Sequence, residues 1–348
     1  MSNAFLERVR IRHPIIQAPM GGANATPPAL VAAVSNAGGL GFLGAAYMAP
    51  DQIAKECAAI RSLTDRPFGI NLFAPTEVPD SAGDVDAAVD WIARYHAELG
   101  ISPPKPPSLP THTFDQQLDV ALDGGISVFS FTFNTLPAET IARVKQRGVY
   151  VVGTATTVEE ARILARAGVD AIAAQGSEAG AHRGTFAGDF ESSMVGTMAL
   201  VPQIVRVVDL PVIACGGLMN GSAIVAAMKL GASAAALGTA FLVTDECGVA
   251  DSYKNLIIAS RDDGTRLTRA FSGRPARGIV NRAMAEIENS GTILAYPYQN
   301  SLTREMRIAA AKQDRAEFLS LWAGQGAALA RRMPAARLVE TLLREMAP

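Results

Sequence analysis

An α/β protein of the (β/α)8-barrel class is predicted by three observations. Eight short runs of apolar and β-branched residues are spread between Ile15 and Leu237. Helix-forming stretches alternate with them. Four of those stretches run into glycine, at Ala37-Gly38, Arg147-Gly148, Ala167-Gly168 and Leu230-Gly231; glycine stops a helix because it takes the left-handed conformation without a Cβ clash.

The strand candidates are residues 15–18, 40–43, 68–72, 127–132, 150–152, 171–174, 212–215 and 234–237. They are apolar on both parities, as strands covered on both faces must be. The helix candidates between them are 28–37, 52–62, 138–147, 158–167, 201–208 and 222–230. Repeated β-then-α units call for a parallel sheet with right-handed crossovers. Eight strands fit a closed barrel, which takes roughly 250 residues. An open doubly wound sheet is the alternative, and it needs a reversal of strand order. Residues 1–250 are therefore read as the barrel, with an insertion at about 74–125 after the third strand, and 251–348 as a mainly helical segment over its mouth. In the insertion, 84–99 reads as helix and the proline-rich 102–110 as a rigid extended connection. In the last segment, 303–324 and 335–346 read as helices and 269–282 as an arginine-rich loop.

Composition narrows the function. The chain has 348 residues, 49% hydrophobic and 18% charged, enough to bury a large core. A net charge of -2 leaves no polyanion footprint, which argues against nucleic acid as a partner. Three cysteines without CxxC spacing support neither a disulfide framework nor a structural zinc. No run is long and uncharged enough to span a bilayer, so no membrane partner is expected, and the expected compartment is the cytoplasm.

In a (β/α)8 barrel the loops after the C-terminal strand ends form the active site. Those positions hold Ala18-Pro-Met-Gly-Gly22, Asn71, the stretch Gln175-Gly-Ser-Glu-Ala-Gly-Ala-His182-Arg-Gly184, Cys215-Gly216-Gly217-Leu218 and Gly238-Thr239-Ala240. Glycines after the seventh and eighth strand candidates suit a phosphate grip made of backbone N–H groups, to which Thr239 adds a hydroxyl. The alternative is that Gly216, Gly217 and Gly238 only make tight turns. Asn71 and Gln175 are amides that donate and accept at once, apt for the edge of a heterocycle; an Asx turn and a solvated loop residue are their plain readings. Ala18, Pro19 and Met20 offer an apolar wall. His182, one of four histidines, is the proton-transfer candidate; otherwise it only holds a backbone carbonyl. His13 lies at the non-catalytic end, His96 on a charged helix and His112 in the proline-rich connection. No GxSxG or HExxH occurs, and no metal ligand set is expected.

Pro14-Ile-Ile-Gln-Ala-Pro-Met20, Ser35-Asn-Ala-Gly-Gly-Leu-Gly41, Phe68-Gly-Ile-Asn-Leu72, the Gln175–Gly184 loop and Pro211-Val-Ile-Ala-Cys-Gly-Gly217 together resemble the nitronate monooxygenases, formerly 2-nitropropane dioxygenases. Ala270-Phe-Ser-Gly-Arg-Pro-Ala-Arg-Gly278 and Trp322-Ala-Gly-Gln325 look like C-terminal motifs of that family. The resemblance implies non-covalent FMN. It puts Asn71, Gln175, Gly180, Gly217, Ala236, Leu237, Gly238 and Thr239 at flavin-contacting positions, the backbone of Pro19 and Met20 against the ring, and Gln325 near it. His182 matches the catalytic histidine. The implied reaction oxidises an alkyl nitronate, or a nitroalkane after loss of its α-proton, with O2 to a carbonyl compound and nitrite. A second copy of the chain is a candidate partner. One class of the family surrounds its substrate with tyrosines and a lysine; here Tyr296 and Tyr298 lie near the place, but Arg304 follows where a lysine is expected. The rival is the flavin-dependent enoyl-acyl-carrier-protein reductases, which share the opening motif and take hydride from NAD(P)H. Further alternatives are a flavin-binding protein without nitronate turnover and a flavin-free barrel lyase.

Overall fold

A computed structural model describes residues 3–347. Its main sheet contains β1 (Ile15–Gln17), β2 (Gly41–Gly44), β3 (Phe68–Phe73), β4 (Val128–Thr132), β5 (Tyr150–Ala155), β6 (Ala171–Gln175), β8 (Val212–Cys215) and β9 (Ala234–Leu237). All pairings along the order β1-β9-β8-β6-β5-β4-β3-β2 are parallel. The remaining seam closes when Gln17 donates its N–H to the Leu40 carbonyl and Leu40 donates to that of Ile15, each at 3.0 Å. The sheet is therefore a barrel, and the open-sheet alternative falls.

Two apolar clusters account for its stability. One lies between the strands and the outer helices and includes Ile70, Phe129, Val151 and Ile172. The other fills the barrel, with Ile16, Phe42, Val128, Val152 and Ile213. Phe5, Val9 and Ile11 belong to this inner cluster, so the helix Ala4–Val9 plugs the N-terminal end. Towards the other end the inner residues are small, among them Ala18, Ala173, Cys215 and Ala236, and space opens.

Several elements differ from expectation. Residues 114–123 form an unanticipated helix, Phe114–Asp123, started by a reciprocal Thr113–Gln116 capping box. The helix expected at 201–208 runs instead over Thr197–Val205; its first N–H, that of Thr197, donates to the carboxylate of Glu178, remote in sequence. The helix expected over 303–324 is Arg304–Lys312. Asp314 takes a φ of 55°, Arg315 donates back to the Ala310 carbonyl, and the chain turns into a short 3-10 helix (Ala316–Phe318) and an extended strap. The arginine-rich stretch is not all loop: β11 (Ala276–Ile279) pairs antiparallel with β10 (Thr265–Thr268) and with β7 (Ala181–His182). Nor does the whole last segment cover the mouth. The helix after β9 is only Thr239–Leu242, and the terminal helix Ala335–Met346 packs between Gly221–Lys229 and Pro28–Asn36. It takes the place of the eighth outer helix. Among the described residues no helix is long and apolar enough to cross a membrane.

Candidate active site

A cavity of about 240 Å³ opens at the C-terminal ends of the barrel strands. Ala18, Pro19, Met20, Asn71, Gln175, Gly180, His182, Gly216, Gly217, Ala236, Leu237, Gly238 and Thr239 all line it. Gln325 does not: its side chain is exposed, its N–H donates to the Glu178 carbonyl at 2.9 Å, and its neighbours Gly324 and Gly326 face the cavity instead. His112 is also absent from the wall.

The roof is the strap from Leu319 to Gly326. It is tied to β11 by the Ile279 N–H on the Leu321 carbonyl at 2.8 Å, and to the barrel by the Gly324 N–H on Thr239 Oγ1 at 2.9 Å. Gly180 permits this closure, because a Cβ there would lie 2.6 Å from the Ala323 carbonyl carbon. Thr239 accepts in that bond, so its own O–H is still available to donate.

At one end the wall is mostly main chain. Gly216 and Gly217 have φ of 114° and 73°, a left-handed pair that side chains disfavour. Glu178, beside Gly217, is engaged with Thr197 N–H and Oγ1.

The other end is built by side chains. His182 comes from β7, a strand of two residues held by β11. Gln175 secures the same loop, donating to the His182 carbonyl at 3.0 Å and accepting from Gly184 N–H at 2.8 Å. Its amide is thus largely spent on the loop. Buried Glu160 accepts from Phe186 and Ala187 N–H at 2.6 and 3.0 Å. Asn71 Nδ2 donates to Ser130 Oγ at 2.9 Å, and its side-chain Oδ1 has no partner among the described residues.

His182 Nε2 lies 2.8 Å from Ser272 Oγ. Ser272 Oγ also lies 3.1 Å from the Arg274 carbonyl and accepts from the Arg274 N–H at 3.3 Å, so its single hydrogen goes either to that carbonyl or to the imidazole. When the hydroxyl donates to the carbonyl, the imidazole carries its proton on Nε2 and its lone pair on Nδ1. Around the ring stand Trp322, Phe133, Phe73 and Tyr296, with centroids 5.6, 5.7, 6.2 and 6.3 Å away. Burial among them, with the charges of Arg274 and Arg307, pushes the imidazole down to about 3, so it is neutral at physiological pH. Tyr296 packs edge-on to the imidazole but is not among the residues that line the cavity. Tyr298 is not on the cavity wall either, Arg304 is exposed, and Arg307 lines the wall.

Sequence reasoning missed Tyr47, Phe73, Phe133 and Arg307. Only Phe73 and Phe133 leave a signal, as aromatics one residue past the strand candidates at 68–72 and 127–132. Tyr47 and Arg307 reach the site through a loop and a helix whose placement no local pattern encodes.

The nitronate monooxygenase family model matches residues 2–345. A probable nitronate monooxygenase of Staphylococcus saprophyticus is 39% identical over 97% of this chain and 95% of its own length. A nitroalkane oxidase from Streptomyces ansochromogenes has a similar structure, with a TM-score of 0.91 and 42% identity, covering 99% of this chain and 98% of that one. FabK from Thermotoga maritima is more distant, with a TM-score of 0.75 and 28% identity over 99% of this chain and 96% of that one. With a family match along nearly the whole chain and a relative 39% identical over 97% of it, the chain belongs to the nitronate monooxygenase family of oxidoreductases.

Proposed function

We propose that this chain uses FMN and O2 to convert an alkyl nitronate, or a nitroalkane that it first deprotonates, into a carbonyl compound and nitrite. One observation carries the proposal: an imidazole ringed by aromatic side chains, hydrogen-bonded through Nε2 to Ser272 Oγ, on the wall of a cavity large enough for a small organic molecule.

The residues fit the cofactor. No aspartate or glutamate lines the cavity, and the glycine-rich end offers backbone N–H groups where an anionic phosphate needs donors. Gly216, Gly217, Gly238 and the Thr239 hydroxyl would hold the phosphate. Asn71, Gly180 and the backbone of Pro19 and Met20 would border the ring. When bound, the flavin supplies the electron acceptor that the protein's own side chains lack.

His182 does the proton chemistry. Its Nδ1 lone pair takes the α-proton of a nitroalkane. A cation beside the ring disfavours that uptake and an anion favours it, so the imidazole gains basicity as negative charge builds on the nitro group. Ser272 holds the ring in the required tautomer. The aromatic residues around it exclude water, which strengthens every charge interaction inside.

The test is anaerobic. Oxidised holoenzyme is mixed with propyl-2-nitronate, and separately with NADH, while the flavin absorbance is followed. The proposal expects the nitronate to change the spectrum and, on admitting O2, to yield nitrite. Bleaching by NADH with no response to the nitronate would assign the chain to hydride-transfer chemistry.

A further inference from the structure

Among the residues lining the cavity there is no aspartate, glutamate or lysine, and the single arginine is Arg307. It is therefore the one wall residue that carries a full charge at neutral pH. Its Nη2 donates to the carbonyl and Oδ1 of Asn300, both at 2.9 Å, and its Nε to the Thr303 carbonyl at 3.3 Å. These are neutral acceptors. Among the described residues Arg307 forms no ion pair, and its Nη1 has no hydrogen-bond partner. The hydroxyl of Tyr47, also on the cavity wall, is buried and has no partner either.

A desolvated charge with no counterion is unfavourable, and a buried hydroxyl left unpaired adds to the cost. Both are relieved by an anion in the cavity. The carboxylates near the site are committed elsewhere: Glu160 to Thr156, Phe186 and Ala187, and Glu178 to Thr197.

We propose that Arg307, assisted by the Tyr47 hydroxyl, is the seat for the negatively charged oxygens of the substrate, opposite in chemical role to the acceptor nitrogen of His182. The substrate class it selects is a small organic oxyanion, or a neutral compound that becomes one when His182 removes its proton. In that second case the guanidinium favours ionisation by stabilising the product anion, while His182 receives the proton. This assignment rests on the proposed nitronate chemistry, and its test separates the two.

Inorganic nitrite serves as the probe. Its binding to the holoenzyme is measured by calorimetry for the wild type, Arg307→Met, Arg307→Lys and Tyr47→Phe, alongside steady-state kinetics with propyl-2-nitronate. For Arg307→Met we expect nitrite affinity to fall at least tenfold and KM for the nitronate to rise by a similar factor. Arg307→Lys restores most of both, since it restores the charge. Tyr47→Phe, which removes an atom with no protein partner, weakens nitrite about threefold without loss of folding. Unchanged nitrite affinity in Arg307→Met overturns the proposal. So does loss of flavin from that variant with normal nitrite affinity once flavin is restored, because the guanidinium would then serve the cofactor. If the wild type binds nitrite through Arg307 but turns over no nitronate, the anion seat stands and the nitronate reaction falls.

Discussion

The two ends of the cavity are made of different materials. At the end formed after β8 and β9, the wall includes Gly216, Gly217, Gly238 and the hydroxyl of Thr239, with Leu218 and Met219 beside them. At the other end it is an imidazole, four aromatic rings and a guanidinium, drawn from segments as far apart as Tyr47 and Trp322. Backbone donors recognise charge and shape without regard to the side chains around them, so this end suits a group common to many enzymes. Side chains from scattered segments suit the group that distinguishes one substrate from another. The difference predicts that damage to the first end removes the cofactor, while damage to the second leaves the cofactor and alters the chemistry.

The largest effect is expected at the side-chain end. His182→Asn should lower kcat/KM for a neutral nitroalkane by about 10³, within the range for loss of a general base, while the purified protein keeps its flavin. Measuring flavin content beside activity breaks the comparison if both disappear together. Next comes Gly217→Val. A β-branched residue at a φ of 73° is strained, and the new Cβ would stand 3.2 Å from that of Glu178. The expected result is weaker flavin retention in equilibrium dialysis with the barrel still folded by circular dichroism.

Ser272→Ala should cost about tenfold in the reaction that needs the proton removed and much less with a preformed nitronate, on the magnitude of a neutral hydrogen bond. Equal losses with the two substrates would mean that Ser272 only packs. The smallest effect concerns pH. Burial holds the His182 imidazole below its ordinary value of 6.5, to about 3, so protonation favours the unfolded chain. Its contribution to stability is complete above about pH 6.5 and is lost as pH falls toward 3. The thermal midpoint of His182→Asn should therefore decline less steeply with acidification than that of the wild type.

The same contrast explains what could be read from the sequence. Strand after strand is short and apolar, and the last two are followed by glycine; both patterns are local, so the barrel and its glycine-built end could be placed from residues alone. His182 could be found because it shares a loop with those glycines. Arg307 could not, because nothing near it in sequence marks one arginine of a helix as inward and Arg304 as exposed. Ser272 was visible only as part of a motif; its bond to His182 depends on β11 pairing with β7, two very short strands whose register no periodicity announces. The proposed helix through residue 324 failed for a related reason. Its alanines and charged residues favour helix, but a left-handed Asp314 and the bonds of the strap to β11 and Thr239 prevail.

The terminal helix has a consequence for how the protein is made. Leu338, Val339 and Leu342 are buried where that helix fills the gap beside Pro28–Asn36, and β1 completes its pairing with β9, more than two hundred residues later. The first and last parts of the chain thus close the same seam. The ring of helices cannot be finished until residues 335–346 have left the ribosome. Apolar faces of the early βα units stay uncovered for most of synthesis, and a nascent chain stalled before residue 335 would remain a substrate for chaperones.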